Sequence, residues 1–107
     1  MPPAPEEGAE GEREAVAESY AIGIVQLVEH LALDEARAGF IDALDAEGFK
    51  EGENLTVDYK NAQGEMPTAL TISEGFVADQ VDLILAIATP AAQAAATATA
   101  EIPILIT

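Results

Sequence analysis

From Val81 to Ala88 every residue except Asp82 is apolar, and the run stops at Thr89-Pro90, where a stretch made mostly of alanine begins. A short apolar run bounded by turn signals fits a strand buried on both faces. Thr-Pro at its carboxyl end is a helix start, with Thr89 expected as the N-cap and Pro90 as the first helical residue. The junction Ile84–Pro90 brings free backbone N–H groups and a hydroxyl to one point in space, which suits an anionic group. A buried strand that feeds directly into a helix restricts the chain to a small set of layered α/β folds.

The same alternation runs through the chain from Tyr20. Ala21–Leu27 is nearly continuously apolar and β-branched, the pattern of a second buried strand. A helix is expected from Ala32 to Glu47, with Leu33, Ala36, Phe40, Ile41 and Leu44 on one face. Gly48 supplies a left-handed stop, and Phe49 can fold back on the last turn. Asn54–Lys60 alternates, with Leu55, Val57 and Tyr59 against Thr56, Asp58 and Lys60, as in a strand at a sheet edge. A second helix is expected over Pro67–Gln80 with a buried stripe of Ala69, Ile72, Phe76 and Val77, and Gly75 inside it suggests close packing. A third helix is expected over Pro90–Thr99 and a last strand over Ile102–Thr107.

Short connections and right-handed crossovers turn this order into a parallel sheet. The expected fold class is α/β: a flavodoxin-like three-layer fragment, its parallel four-stranded sheet in the order 2-1-3-4 with helices on both faces. So apolar a fourth strand calls for a neighbour. The chain is therefore expected to be part of a larger α/β protein, or to pair that edge with another molecule.

Composition narrows the function classes. The 107 residues include 20 acidic side chains against 4 Lys plus Arg, a formal net charge of -16. Such a surface repels nucleic acid and anionic membranes. Cysteine is absent, so disulfides, thiolate metal sites and cysteine nucleophiles are ruled out. No apolar stretch is long enough for membrane insertion, and no signal peptide is visible. Residues 1–19 are rich in Pro, Gly, Glu and Ala and are expected to form a disordered acidic leader, with a short helix conceivable over Glu12–Glu18; order is expected from residue 20.

In an open parallel sheet, ligands bind beyond the carboxyl ends of the strands, near the point where strand order reverses. The residues expected there are Gln26 to His30, Asn61 to Gly64 and Ala88 to Pro90. Glu29, His30, Asn61, Gln63 and Thr89 are the candidate binding side chains. Each also has a plainer role open to it: Thr89 as a helix cap, His30 as a surface loop residue, Glu29 as a solvated charge, Asn61 and Gln63 as turn formers. Glycine-rich dinucleotide and phosphate loops are missing, as are a nucleophile elbow and the aspartate of a phospho-acceptor domain. One histidine cannot build a multi-histidine metal site. No cofactor and no catalytic residue is expected.

Ile22–His30, Ala32-Leu33-Asp34 and Gly39-Phe40 resemble the ABC-transporter substrate-binding proteins of the tryptophan/tyrosine type. So do Gly48-Phe49, Glu51–Asn54, Asp58-Tyr59, Asn61–Gly64, Phe76–Asp79 and Ala86–Gln93, with the same spacing throughout from about Tyr20 to Thr107. The resemblance implies a type I periplasmic-binding-protein fold, two α/β lobes closing over a small ligand. Residues 20–107 would then be a partial N-terminal lobe. It further implies a solute receptor that delivers an amino acid, aromatic by type, to an ABC permease outside the cytoplasm, as a periplasmic protein or cell-surface lipoprotein. On that basis Thr89 and the amides of Ala91 and Ala92 would hold the ligand carboxylate, and Glu29 or Gln63 would meet its ammonium group. The family usually has proline after Glu-His, where this chain has Leu31, which loosens the first loop. The alternative is a stand-alone interaction or regulatory domain that dimerises through its last strand. An enzyme using Glu29 and His30 as acid and base has no nucleophile or cofactor site to support it.

Overall fold

The computed structural model describes residues 19–107; the expected leader and the short helix over Glu12–Glu18 lie outside the described residues, apart from Ser19. The chain forms β1 (Tyr20–Gln26), α1 (Leu31–Ala46), β2 (Leu55–Asn61), α2 (Met66–Ala78), β3 (Leu83–Ile87), α3 (Thr89–Ala98) and β4 (Ile104–Ile106). The strands make a 4-stranded sheet in the order β2-β1-β3-β4, and all three pairings are parallel. This is the expected flavodoxin-like order, and the burial patterns explain it. β1 is buried from Ile22 to Gln26 and β3 from Ile84 to Ile87, as befits central strands covered on both faces, whereas β2 is only partly buried.

The two faces are packed differently. On one, Val25, Ile84 and Ala86 meet Ala69 and Phe76 of α2 and Ala91, Ala92, Ala94 and Ala95 of α3. The alanines let α3 lie close to the sheet. On the other face Ile22, Ile24, Leu55, Leu85 and Ile87 are covered by Leu33, Phe40, Ile41 and Leu44 of α1. No residue of α1 is fully buried, and Leu105 of β4 stays 48% exposed. An apolar groove of about 260 Å³ remains beside α1, lined by Tyr20, Ile22, Leu44, Phe49, Leu55, Asp82 and Leu83. Tyr20, Leu55 and Leu83 are the first residues of their strands, so this groove lies at the amino edge of the sheet.

Several local expectations need correction. Thr89 is not the N-cap of α3. Ala88 is, with φ 87° and ψ 150°, and Thr89 is already helical. Gly75 does not mark close packing, since a Cβ there would meet nothing within 4 Å. The tight glycine is Gly23, where a Cβ would lie 2.5 Å from the Phe76 ring. Within α2 the buried positions are Ala69, Ser73 and Phe76; Val77 is half-buried. Ser73 tolerates burial because its Oγ donates to the Ala69 carbonyl at 2.9 Å. β4 starts two residues later than expected because the Thr99 hydroxyl accepts the Glu101 and Ile102 N–H groups at 3.1 and 3.2 Å, and Pro103 has no N–H to give. Gly48 does provide the left-handed stop, at φ +98°.

Candidate functional site

Parallel strands deliver their carboxyl ends to one edge, and there the first connection is bonded to the second and to the end of β3. Leu27 N–H donates to Ile87 O at 3.2 Å, Ala62 N–H to Gln26 O at 2.8 Å and Gly64 N–H to Leu27 O at 2.7 Å. The β1–α1 and β2–α2 loops are therefore tied directly, and both hang from the central strands. Gly64 sits at φ +80° with Val28 Cγ1 3.3 Å from where a Cβ would be, so the contact between the loops leaves little room for a side chain.

Glu29 and His30 are exposed on the first loop. His30 is also the N-cap of α1, its Nδ1 accepting the Ala32 N–H at 3.1 Å. Asn61 is half-buried at the end of β2. Its Oδ1 accepts the Gln63 N–H at 2.6 Å, and its Nδ2 donates to the Tyr59 hydroxyl at 3.3 Å. Gln63 is exposed and left-handed at φ 55°. Its neighbour's side chain thus shapes the turn that presents it.

At the third connection, Ala88 donates its N–H to Thr107 O at 2.9 Å and accepts the Ala92 N–H at 3.1 Å. The Ala92 amide is thus engaged inside the helix. Ala91 is fully buried, Ala92 is 8% exposed, and Thr89 is exposed. The group this junction presents outward is Thr89, at the positive end of the α3 dipole.

Gln26 is expected at this edge, but its contacts escaped sequence reasoning. Gln26 is completely buried. Its Nε2 donates to Val28 O at 2.8 Å and to Asp34 Oδ1 at 2.7 Å, and its Oε1 accepts from Arg37 Nη1 at 2.7 Å. The Arg37 guanidinium lies over the Tyr59 ring, 3.8 Å from its centroid, and Asp34 Oδ1 is 3.6 Å from its Nη1. The available signal was Gln26 itself, a polar residue closing an otherwise apolar central strand, with Asp34 and Arg37 one helical turn apart.

The arrangement offers carboxylate, imidazole, amide and hydroxyl groups around one edge. It is suited to holding a small polar solute. Comparison with known proteins gives the chain's family. The family model described as ABC transporter substrate binding protein matches residues 21–107. A curated relative named tyrosine-binding protein, from Clostridioides difficile strain R20291, is 56% identical over 86 residues, covering 80% of this chain and 25% of the relative. A ligand-free, open structure of a substrate-binding protein with adhesive properties from Clostridium difficile superposes with TM-score 0.79 at 57% identity, over 81% of this chain and 30% of that one. An ABC domain in complex with L-Trp from Streptococcus pneumoniae gives TM-score 0.78 at 38% identity, over 82% of this chain and 30% of that one. The chain therefore spans about a quarter to a third of the length of these relatives, and it belongs to the ABC transporter substrate-binding protein family.

Proposed function

We propose that this chain supplies part of the first lobe of a receptor that holds an aromatic amino acid in an inter-lobe cleft and delivers it to an ABC permease. The observation that carries the reading is the three-loop edge, in a segment 56% identical to a protein named for binding tyrosine. The ligand carboxylate meets the hydroxyl and amide of Thr89 at the α3 N-terminus, where the helix dipole favours negative charge. Ala91 and Ala92 form the buried base of that helix end. The ammonium group meets Glu29 or Gln63, with His30 and Asn61 completing the rim. The protein acts as a binding component and not as an enzyme. It works outside the cytoplasm, in the periplasm or as a cell-surface lipoprotein; no helix among the described residues is long and apolar enough to cross a membrane.

One lobe touches one side of a ligand, whereas small-molecule sites bury most of the ligand surface. Calorimetry therefore belongs on a two-lobed protein carrying this segment, titrated with L-tyrosine, L-tryptophan and L-phenylalanine. Saturable heat with at least one of them is expected; no heat or thermal shift with any amino acid refutes the reading. A second reading, self-association through β4, is favoured by the exposure of Leu105 and Ile106, 48% and 66%. It requires a defined dimer in light scattering of this chain.

A further inference from the structure

We infer that Gln26 is the positioning residue of this edge, a buried amide that sets the β1–α1 loop and links it to the β2–α2 loop. The inference rests on the proposed binding site, whose loops these are.

The amide has one workable orientation. Both its N–H groups are taken by acceptors, Val28 O and Asp34 Oδ1, and its oxygen faces the Arg37 donor. Turned over, it would set oxygen against a carbonyl and a carboxylate, and nitrogen against a guanidinium. An unmatched polar group at a fully buried position is costly, so the three partners hold the amide and it holds them. Val28 is the partner that matters for the site: its carbonyl immediately precedes Glu29 and His30.

The contacts continue to the second loop. Arg37 stacks on Tyr59 at 3.8 Å, the Tyr59 hydroxyl accepts from Asn61 Nδ2 at 3.3 Å, and Asn61 Oδ1 accepts the Gln63 N–H at 2.6 Å. One unbroken series of polar and stacking contacts thus runs from Val28 through Gln26 and Arg37 to Gln63. The two loops bearing the candidate binding side chains share one anchor.

A swap of donor and acceptor separates positioning from simple core filling. Gln26→Glu keeps the shape and the bond from Arg37, but sets a carboxylate against Asp34 and Val28 O. Adding Asp34→Asn returns a donor to the α1 side, while Val28 O stays without one. Asp34→Asn alone keeps an oxygen for the Gln26 amide. Amide hydrogen exchange of Leu27, Ala32 and Gly64 is measured on the chain as it stands, beside its melting temperature. The Q26E/D34N pair is expected to recover most of the melting temperature lost in Q26E, while these amides exchange about tenfold faster than in the wild type or D34N.

Wild-type exchange in the double variant overturns the inference, because it leaves Gln26 as a strand–helix tie only. So does unchanged exchange in Q26E. Should Q26E fail to fold, the double variant against D34N decides. The two-lobed protein with Q26E/D34N is expected to bind L-tyrosine about tenfold more weakly than the wild type. Absence of L-tyrosine binding by the wild type would strike the proposed ligand and leave the exchange result standing.

Discussion

Replacing Ala88 by glycine is expected to stabilise the protein, the reverse of what that change does in ordinary backbone. Ala88 sits at φ 87° and ψ 150°, a region essentially reserved for glycine that costs a side-chain-bearing residue about 1–3 kcal/mol. The conformation persists because both backbone groups are held, the N–H by Thr107 O at 2.9 Å and the carbonyl by Ala92 N–H at 3.1 Å. Glycine relieves the strain but gains about 0.4–1 kcal/mol of unfolded-chain freedom, which offsets part of it. The net expectation is a gain of about 1 kcal/mol, or about 4–8 °C in melting temperature for a domain of this size. Urea denaturation followed by circular dichroism measures it, with an unchanged m-value showing that the unfolded state is comparable. A lower midpoint in A88G would refute the strain assigned to this junction. A88V should lose stability, because a β-branched residue is least tolerant of this backbone.

Gly23→Ala should cost about 1–3 kcal/mol by overpacking, since the new Cβ would lie 2.5 Å from the Phe76 ring; thermal melts should show G23A/F76L losing less than the sum of the single variants. His30→Ala removes the α1 cap and should cost about 1 kcal/mol, with His30→Ser restoring most of it in the same melts. The hydrogen bond from Lys50 to Asp45, and then the charge of that carboxylate, raise the Lys50 pKa above its ordinary value. Stability from this pair is therefore fully present below the unfolded lysine pKa and is lost as pH rises through the raised folded value. D45N should remove that alkaline dependence from a series of melts, and an identical pH profile in D45N would contradict it. Thr89→Val keeps shape and removes the hydroxyl; calorimetry on the two-lobed protein should show affinity for the amino acid falling about tenfold or more.

The central places of β1 and β3 and the outer place of β2 could be read from sequence pattern: the continuous apolar runs of β1 and β3 demand two covered faces, and the alternation in β2 permits one. What sequence could not supply was set by contacts between residues far apart or by backbone without a residue signature. Thr89-Pro90 is a strong helix-start signal, yet the cap fell one residue earlier, on an alanine whose positive φ nothing in its side chain announces. The cap of α1 is His30, a residue weighed as a loop or ligand residue. That Gly23 and not Gly75 is the tightly packed glycine depends on where the Phe76 ring lies. The Gln26 network joins positions 8 and 11 residues away, outside the reach of a strand or helix period. The candidate side chains Glu29, Gln63 and Thr89 arrive at one edge because topology alone requires it, whereas the device that fixes their loops is a tertiary contact.

Mapping the proposed contact of an aromatic amino acid with this chain tests the reading of the carboxyl edge. Backbone amide shifts would be followed by NMR in the two-lobed protein during titration with L-tyrosine and with L-tryptophan. Shifts within this chain are expected to concentrate at Leu27–His30, Asn61–Gly64 and Thr89–Ala92, the carboxyl edge of the sheet. Shifts centred instead on Tyr20, Leu44, Phe49 and Leu83, which line the apolar groove at the amino edge, or none in this chain at saturating ligand, would overturn the proposed binding edge.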